Sequence, residues 1–328
     1  MIERPRSAAP ADLHAMVETY LETSFGTDNV LVTEAIRRML AAGGKRLRPR
    51  LTLLAAEAVG GDAREHLALA AYMELIHVAT LIHDDVVDRA DTRRGINATA
   101  VDFGNRVSVL AGDYLFAWIF RNVTADYPAP VPHILSATLA EICDGEVLQL
   151  QSLGNLALSV NGYVDIVRRK TASLFAASAE CGAIMGGGPS RRVKALRDFG
   201  LYYGIAFQML DDLLDATASE AEIGKPVGND LRERKVTIPV ILARDAAGPD
   251  LLRALERFYA GGQAGGDGVA EVLAGILGAG AATLTREAIA GYVERAKQSL
   301  APLGNAPARA SLADLADALV PAESVVRR

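Results

Sequence analysis

Two short acidic clusters, Asp84-Asp85-Val86-Val87-Asp88 and Asp211-Asp212-Leu213-Leu214-Asp215, each interrupt an apolar stretch of the chain. On a helix the first and last Asp of a cluster stand one turn apart on one face, so their carboxylates converge. Convergent carboxylates repel one another, and burying them among Val, Leu and Ile costs on the order of several kcal/mol per unpaired charge. A hard divalent cation removes both penalties. Mg2+ fits best, because it is held by one or two carboxylates and completes its coordination with water and substrate phosphate. One such cluster alone could equally be a solvated acidic face; two copies with matched apolar flanks point to metal.

The cations near these clusters suit phosphate. Arg93 and Arg94, just past the first cluster, can each fork onto phosphate oxygens, one residue per ligand if the two side chains diverge. The plainer alternative is a basic pair favoured by a helix C-terminal dipole. Gly43-Gly44-Lys45-Arg46-Leu47-Arg48-Pro49 sets three cations beside a glycine pair and ahead of an apolar helix. There both the accessible backbone and the helix N-terminus favour an anion. The spacing is not that of a P-loop, so no nucleotide is implied. Arg169-Lys170-Thr171, Gln208 one turn before the second cluster, and Gly224-Lys225-Pro226 leading on to Arg234-Lys235 are further candidates, each weak in isolation. A Gly-Lys-Pro loop suits a lid that carries a cation onto a bound diphosphate. His77 lies two helical turns before Asp84 on the same face, where core packing and ligand contact are both open readings.

Helices must position these groups. Apolar residues recur at three- and four-residue spacing from about Asp12 to Ala42, Leu47 to Val59 and Arg64 to Arg89. The pattern resumes at Arg106 to Ala125, Val131 to Leu153, Val160 to Ile184, Ser190 to Thr217, Val236 to Ala246, Asp250 to Ala260, Val269 to Leu277 and Thr285 to Leu300, with a short last helix near Ala310 to Val320. Strand-like alternation is nearly absent, and Gly and Pro clusters mark the gaps. Gly261 to Gly268 is the least ordered stretch by composition. The 328 residues, half of them apolar, suffice for one large all-helical domain, 1–328, with a flexible arm over 1–11. A net charge of -6 argues against a nucleic-acid binder. Cys143 and Cys181 have no metal-ligand spacing, so a reducing compartment such as the cytoplasm is expected. No stretch approaches the roughly 20 uninterrupted apolar residues of a membrane span, and residues 1–12 lack a signal-peptide core, so a soluble protein is expected.

Taken together, GGKRLRP, LIHDDVVDRADTRRG, RRKTASLF, GIAFQMLDDLLD and GKPVGNDLRERKVTIP resemble the motifs of the all-trans polyprenyl diphosphate synthases, in that family's order and spacing. The resemblance implies an all-α isoprenoid synthase fold, a helical bundle around a deep apolar cavity with the two Asp motifs facing one another across its mouth, as a homodimer or the catalytic subunit of a heteromer. Carried over, it makes Asp84, Asp88 and Asp211 the main ligands of three Mg2+ ions, with Asp85, Asp212 and Asp215 assisting. Arg93, Lys170, Thr171, Gln208, Lys225 and Lys235 match positions around an allylic diphosphate, farnesyl or geranylgeranyl. Lys45, Arg48, His77 and Arg94 match those that bind isopentenyl diphosphate. The implied reaction is ionisation of the allylic diphosphate, attack by the isopentenyl double bond, and loss of a proton to the released diphosphate. No Ser-His-Asp or Cys-His arrangement is needed. Arg234 departs from the family pattern, which commonly has Gly before this Lys.

Product length is expected to follow from the depth of the apolar tunnel. Ala79 and Thr80, about one turn before Asp84, are small where short-chain members carry aromatic rings, and the first motif has no insertion. Both favour a long product of roughly six to ten units, with Ile76, Phe116, Trp118 and Phe120 as floor candidates. Geranylgeranyl diphosphate is the nearest alternative. A class I terpene cyclase would lack the GGKRLRP site and the second DDLLD, a silent partner subunit would lack an Asp motif, and a metal-storage protein would have no use for the paired Arg. A long lipid product implies transient membrane contact at release without stable insertion.

Overall fold

The computed structural model describes residues 10–217, 227–260 and 268–321. The N-terminal arm apart from its last two residues, the stretch 261–267, and Lys225 with its Gly-Lys-Pro neighbours therefore lie outside the described residues. The chain forms two compact units whose borders fall inside helices: 1–136 with 177–197 and 302–312, and 137–176 with 198–301 and 313–328.

The first unit is organised around one long helix. Helix α1 (Pro10–Ser24), α2 (Val30–Ala41) and α3 (Leu47–Val59) precede a 3-10 turn (Ala63–His66) and α4 (Leu67–Val87). The continuous helical stretch expected from Asp12 to Ala42 is broken after Ser24, and Asn29 restarts it as an N-cap, its side chain accepting from the Val32 N–H at 3.3 Å. Helix α4 is apolar around most of its circumference and packs against α1, α3 and α5 (Thr99–Asp126). Residues Ala63–Val87 are long and apolar enough to cross a membrane, yet about two-thirds of that window is buried inside the protein, as a core helix requires. Gly182 of α8 (Ser173–Met185) lets that helix close onto α3: a Cβ there would lie 2.1 Å from the Thr52 carbonyl oxygen.

Strand is nearly absent among the described residues, as the pattern predicts. The exception is a two-stranded hairpin, β1 (Thr92–Arg93) and β2 (Ile96–Asn97), with Thr92 opposite Asn97 and Arg93 opposite Ile96. Its central residues Arg94 and Gly95 both have positive φ, 51° and 78°, the type I′ turn that matches strand twist.

In the second unit the helical stretch expected from Val160 to Ile184 contains α7 (Val160–Val167), a π turn (Arg168–Ala172) and the start of α8. Helix α9 (Ser190–Thr217) begins where predicted and runs to the last described residue of its stretch, and its Gly200 and Gly204 admit the Phe175 carbonyl and Ala172 to close contact. The rings of Phe175, Phe199, Tyr203 and Phe207 fill the space beside them. A short α10 (Asn229–Arg232) leads to α11 (Ile238–Ala246), which packs against α13 (Val269–Gly278) and α14 (Ala281–Ser299). Helix α12 (Pro249–Ala260) packs against α13, and α15 (Pro307–Asp317) is the last helix among the described residues.

Candidate active site

The first Asp cluster ends α4. Asp88 is the C-cap, its N–H bonded to the Asp84 carbonyl at 2.8 Å, and Arg89 follows in the left-handed region at φ 53°. A carboxylate at the negative end of a helix dipole is unfavourable unless a cation offsets it. Asp84 and Asp88 are half-buried, whereas Asp85 is wholly buried and turned toward Arg93. The guanidinium of Arg93 grips Asp85 Oδ1 through Nε at 2.7 Å and Nη2 at 2.5 Å.

Arg94 goes the other way. From the turn of the hairpin its guanidinium donates to the Gly43 carbonyl and lies over Gly44, where a Cβ would be 3.0 Å from Nη1. The hairpin thereby divides the arginine pair, one residue to the acidic cluster and one to the glycine-lysine turn. That turn is itself held by Arg46, which is 3% exposed and left-handed at φ 47°. Arg46 donates to Glu18 at 2.6 and 3.2 Å, to buried Glu74 at 2.9 Å and to the Leu40 carbonyl at 3.0 Å. Lys45 is left exposed and Arg48 buried on either side of it. Burial, reinforced by the guanidiniums of Arg48, Arg94, Arg93 and Arg46, holds the His77 imidazole well below its ordinary pKa, so it is neutral at pH 7.

The second cluster lies on α9. Asp211 is exposed, Asp212 buried and Asp215 half-buried. Asp212 accepts from the Tyr163 hydroxyl at 2.5 Å and from Gln208 Nε2 at 2.9 Å; Gln208 Oε1 in turn accepts from Thr171 at 2.9 Å. Burial pushes the Asp212 carboxyl up to about 7 against the pull of those two donors. Asp215 accepts from the backbone N–H of Asn229 at 3.2 Å and of Asp230 at 3.1 Å, anchoring the start of α10. Burial, then Asp212 and Asp215, raises the Asp230 carboxyl well above the usual range. Lys170 sits in the π turn, whose expanded hydrogen bonding often marks functional positions, and pairs with Glu146 of α6 (Pro130–Gln151). Gly145 of α6 makes room for that turn, since a Cβ there would be 2.5 Å from the Lys170 nitrogen. Lys235 pairs with Glu233 at 2.5 Å.

The structure thus brings together Lys45, Arg48, His77, Arg94 and the first Asp cluster with Arg93 in one unit. In the other it gathers Lys170, Thr171, Gln208, the second Asp cluster and Lys235. In both clusters the middle Asp is an internal anchor, and in the second Asp215 is one too. Among the described residues no group of three or more His, Cys, Asp or Glu forms a metal cage. Sequence patterning marked Arg46 as one of the three cations of the glycine turn but did not single out its partners Glu18 and Glu74, or Tyr163, Glu146 and Glu233. Glu74 alone carried a signal, a lone acid inside an apolar helical run.

A helical chain with doubled Asp clusters, each accompanied by its own set of cations, has the make-up of a metal-dependent prenyltransferase. A model of the polyprenyl synthetase family matches residues 29–276. Octaprenyl diphosphate synthase of Escherichia coli (strain K12) is 35% identical over 315 residues, 96% of this chain and 97% of that protein. The crystal structure of a decaprenyl diphosphate synthase from Rhodobacter capsulatus, 42% identical, superimposes with a TM-score of 0.88 over 97% of both chains. A polyprenyl synthase from Caulobacter crescentus CB15, complexed with calcium and isoprenyl diphosphate, is 37% identical, with a TM-score of 0.89 over 97% of this chain and 99% of that one. The chain belongs to the polyprenyl synthetase family. Relatives of similar identity are named as short-chain, geranylgeranyl or nonaprenyl diphosphate synthases, so membership sets the reaction class and not the product length.

Proposed function

We propose that this protein condenses isopentenyl diphosphate with an allylic diphosphate to give a long-chain all-trans polyprenyl diphosphate. The observation that carries the reading is the division of Arg93 from Arg94 by the hairpin, which supplies two separate cation sets for two different diphosphates. Asp84, Asp88 and Asp211 would hold Mg2+, three ions by family resemblance, and the bound metal would neutralise the allylic diphosphate as it departs. Arg93, Lys170, Lys235 and, beyond the described residues, Lys225 would bind that same diphosphate, with Thr171 and Gln208 fixing the frame around Asp212. Each cation of this set that the structure describes rests on an acid, Arg93 on Asp85, Lys170 on Glu146 and Lys235 on Glu233. Binding then exchanges one anion for another, without exposing bare charge. Lys45, Arg48 and Arg94, with neutral His77, would hold isopentenyl diphosphate.

For product length, the small side chains of Ala79 and Thr80 support a long product; Ala79 is fully buried and Thr80 turns its hydroxyl back onto the His77 carbonyl at 2.8 Å. Phe116 tilts against His83, beside Asp84, so it is not at floor depth. The nearest ring cluster deeper along α4 is Tyr72 with Trp118 and Phe25, and Tyr72 lies twelve residues before Asp84, about 18 Å along a helix. We read the chain as one catalytic domain working as a homodimer in the cytoplasm. The test is to incubate the purified protein with Mg2+, isopentenyl diphosphate and farnesyl diphosphate and to size the dephosphorylated products by mass spectrometry. A ladder reaching thirty or more carbons supports the reading. A stop at twenty makes geranylgeranyl diphosphate the product, and no elongation sinks the reading or requires a partner subunit.

A further inference from the structure

Arg234 is one of four non-glycine residues with positive φ among the described residues, all of them arginines, the others being Arg46, Arg89 and Arg94. Its φ of 61° is the left-handed conformation that glycine adopts freely and that costs other residues on the order of 1 kcal/mol. Something must hold a bulky residue there. The guanidinium Nη2 donates to the carbonyl of Tyr259 at 2.5 Å. Tyr259 lies in the last described turn of α12, so Arg234 ties its own turn to that helix through a charge-assisted hydrogen bond. The backbone is fixed at the same point. Arg234 accepts from the Gly154 N–H at 2.8 Å, and its own N–H bonds to the Leu231 carbonyl at 3.0 Å. The Tyr259 hydroxyl reaches past Arg234 to donate to the Lys235 carbonyl at 2.9 Å. Gly154 makes room for the arrangement, since a Cβ there would be 2.7 Å from Arg234 Nη2.

We propose that Arg234 is a positioning residue for Lys235: by tying its turn to the last described turn of α12 it locks the left-handed conformation from which Lys235 is presented to the allylic diphosphate. A glycine would reach the same φ without strain but with no anchor. Here a side-chain anchor holds the turn and offsets its strain. The inference rests on the reading above that Lys235 binds the allylic diphosphate.

The experiment compares Arg234→Gly, Arg234→Ala, Arg234→Lys and Lys235→Met in the full-length protein, with thermal denaturation as the folding control. Affinity for inorganic diphosphate in the presence of Mg2+ is measured by calorimetry, and KM is measured separately for farnesyl and isopentenyl diphosphate. Arg234→Gly and Arg234→Ala are expected to weaken inorganic diphosphate binding and raise the farnesyl diphosphate KM roughly tenfold, as loss of a charge-assisted hydrogen bond implies. The isopentenyl diphosphate KM stays unchanged, and Arg234→Lys, which keeps a cationic donor, recovers part of the loss. A general loss of structure would move both KM values together and would overturn the positioning role. If Lys235→Met weakens diphosphate binding but Arg234→Gly behaves as wild type, the proposal is wrong and the reading of Lys235 stands. If Lys235→Met binds diphosphate normally, the reading of Lys235 fails and the proposal with it.

Discussion

The middle carboxylate of each Asp cluster is turned into the protein, and its partners decide how the outer carboxylates are aimed. Asp212 is the clearer case, because the Tyr163 hydroxyl at 2.5 Å and Gln208 at 2.9 Å occupy both of its oxygens. Tyr163→Phe leaves a buried carboxyl short of one donor, which costs about 1–3 kcal/mol. A lower Tm and a higher half-saturating Mg2+ concentration are expected; an unchanged Mg2+ titration would show that Asp212 has no influence on the metal-binding carboxylates. His77 gives a pH prediction with a definite sign. Its folded-state pKa lies below the unfolded value of 6.5, so the unfolded chain binds the proton more readily. Stability is then fully present above about pH 6.5 and is lost on acidification, by up to about 1.4 kcal/mol per pH unit while only the unfolded state titrates. Buried Asp212 and Asp230, raised by burial, act in the opposite sense, so the His77 contribution is read as a difference: the denaturant midpoint of wild type minus that of His77→Asn, both ligand-free, should fall between pH 7.5 and 5.

Helices were legible where periodicity alone defines them: α9 starts at Ser190, directly after Pro189 as predicted, and its amphipathic run continues through Thr217, the last described residue of that stretch. Four-residue spacing likewise placed the Asp clusters on helices. The direction of each carboxylate was not legible, since Asp85 is aimed by a hairpin whose I′ turn carries Arg at a position that usually favours Asn or Gly. Nor was the π turn, because one inserted residue leaves the apolar spacing on either side intact. Helix contact also depends on glycines that the pattern marks only as breakers or leaves unmarked. Gly182→Ala would place a Cβ 2.1 Å from a backbone oxygen of α3, which is not free to move, and should destabilise the protein by about 1–3 kcal/mol. Gly291→Ala, in α14 with nothing within 4 Å, should stabilise it by about 0.5–1 kcal/mol. Thermal melts of the two variants shifting in the same direction would contradict this account of the helix contacts.

At the scale of the whole molecule the question is what covers the apolar residues that folding leaves outside. On α5, Leu110 is 61% exposed and Tyr114 37%, one turn apart on one face; on α2, which packs against α5, Val30 and Leu31 are 73% and 53% exposed. Isolated exposed apolar side chains are ordinary, but large ones grouped on two adjoining helices are typical of a contact surface. A net charge of -6 opposes indiscriminate association, so a specific self-complementary contact is the economical explanation, and a two-fold pairing places the same patch on both subunits. Each copy then contributes Leu110 to the contact, and one substitution introduces two charges into it. Sedimentation velocity should give a dimer for the wild type and a monomer for Leu110→Glu, with the helical circular dichroism of the two indistinguishable. A dimer that survives Leu110→Glu would place the contact on another face, and a monomeric wild type would mean that the α2 and α5 residues remain solvated.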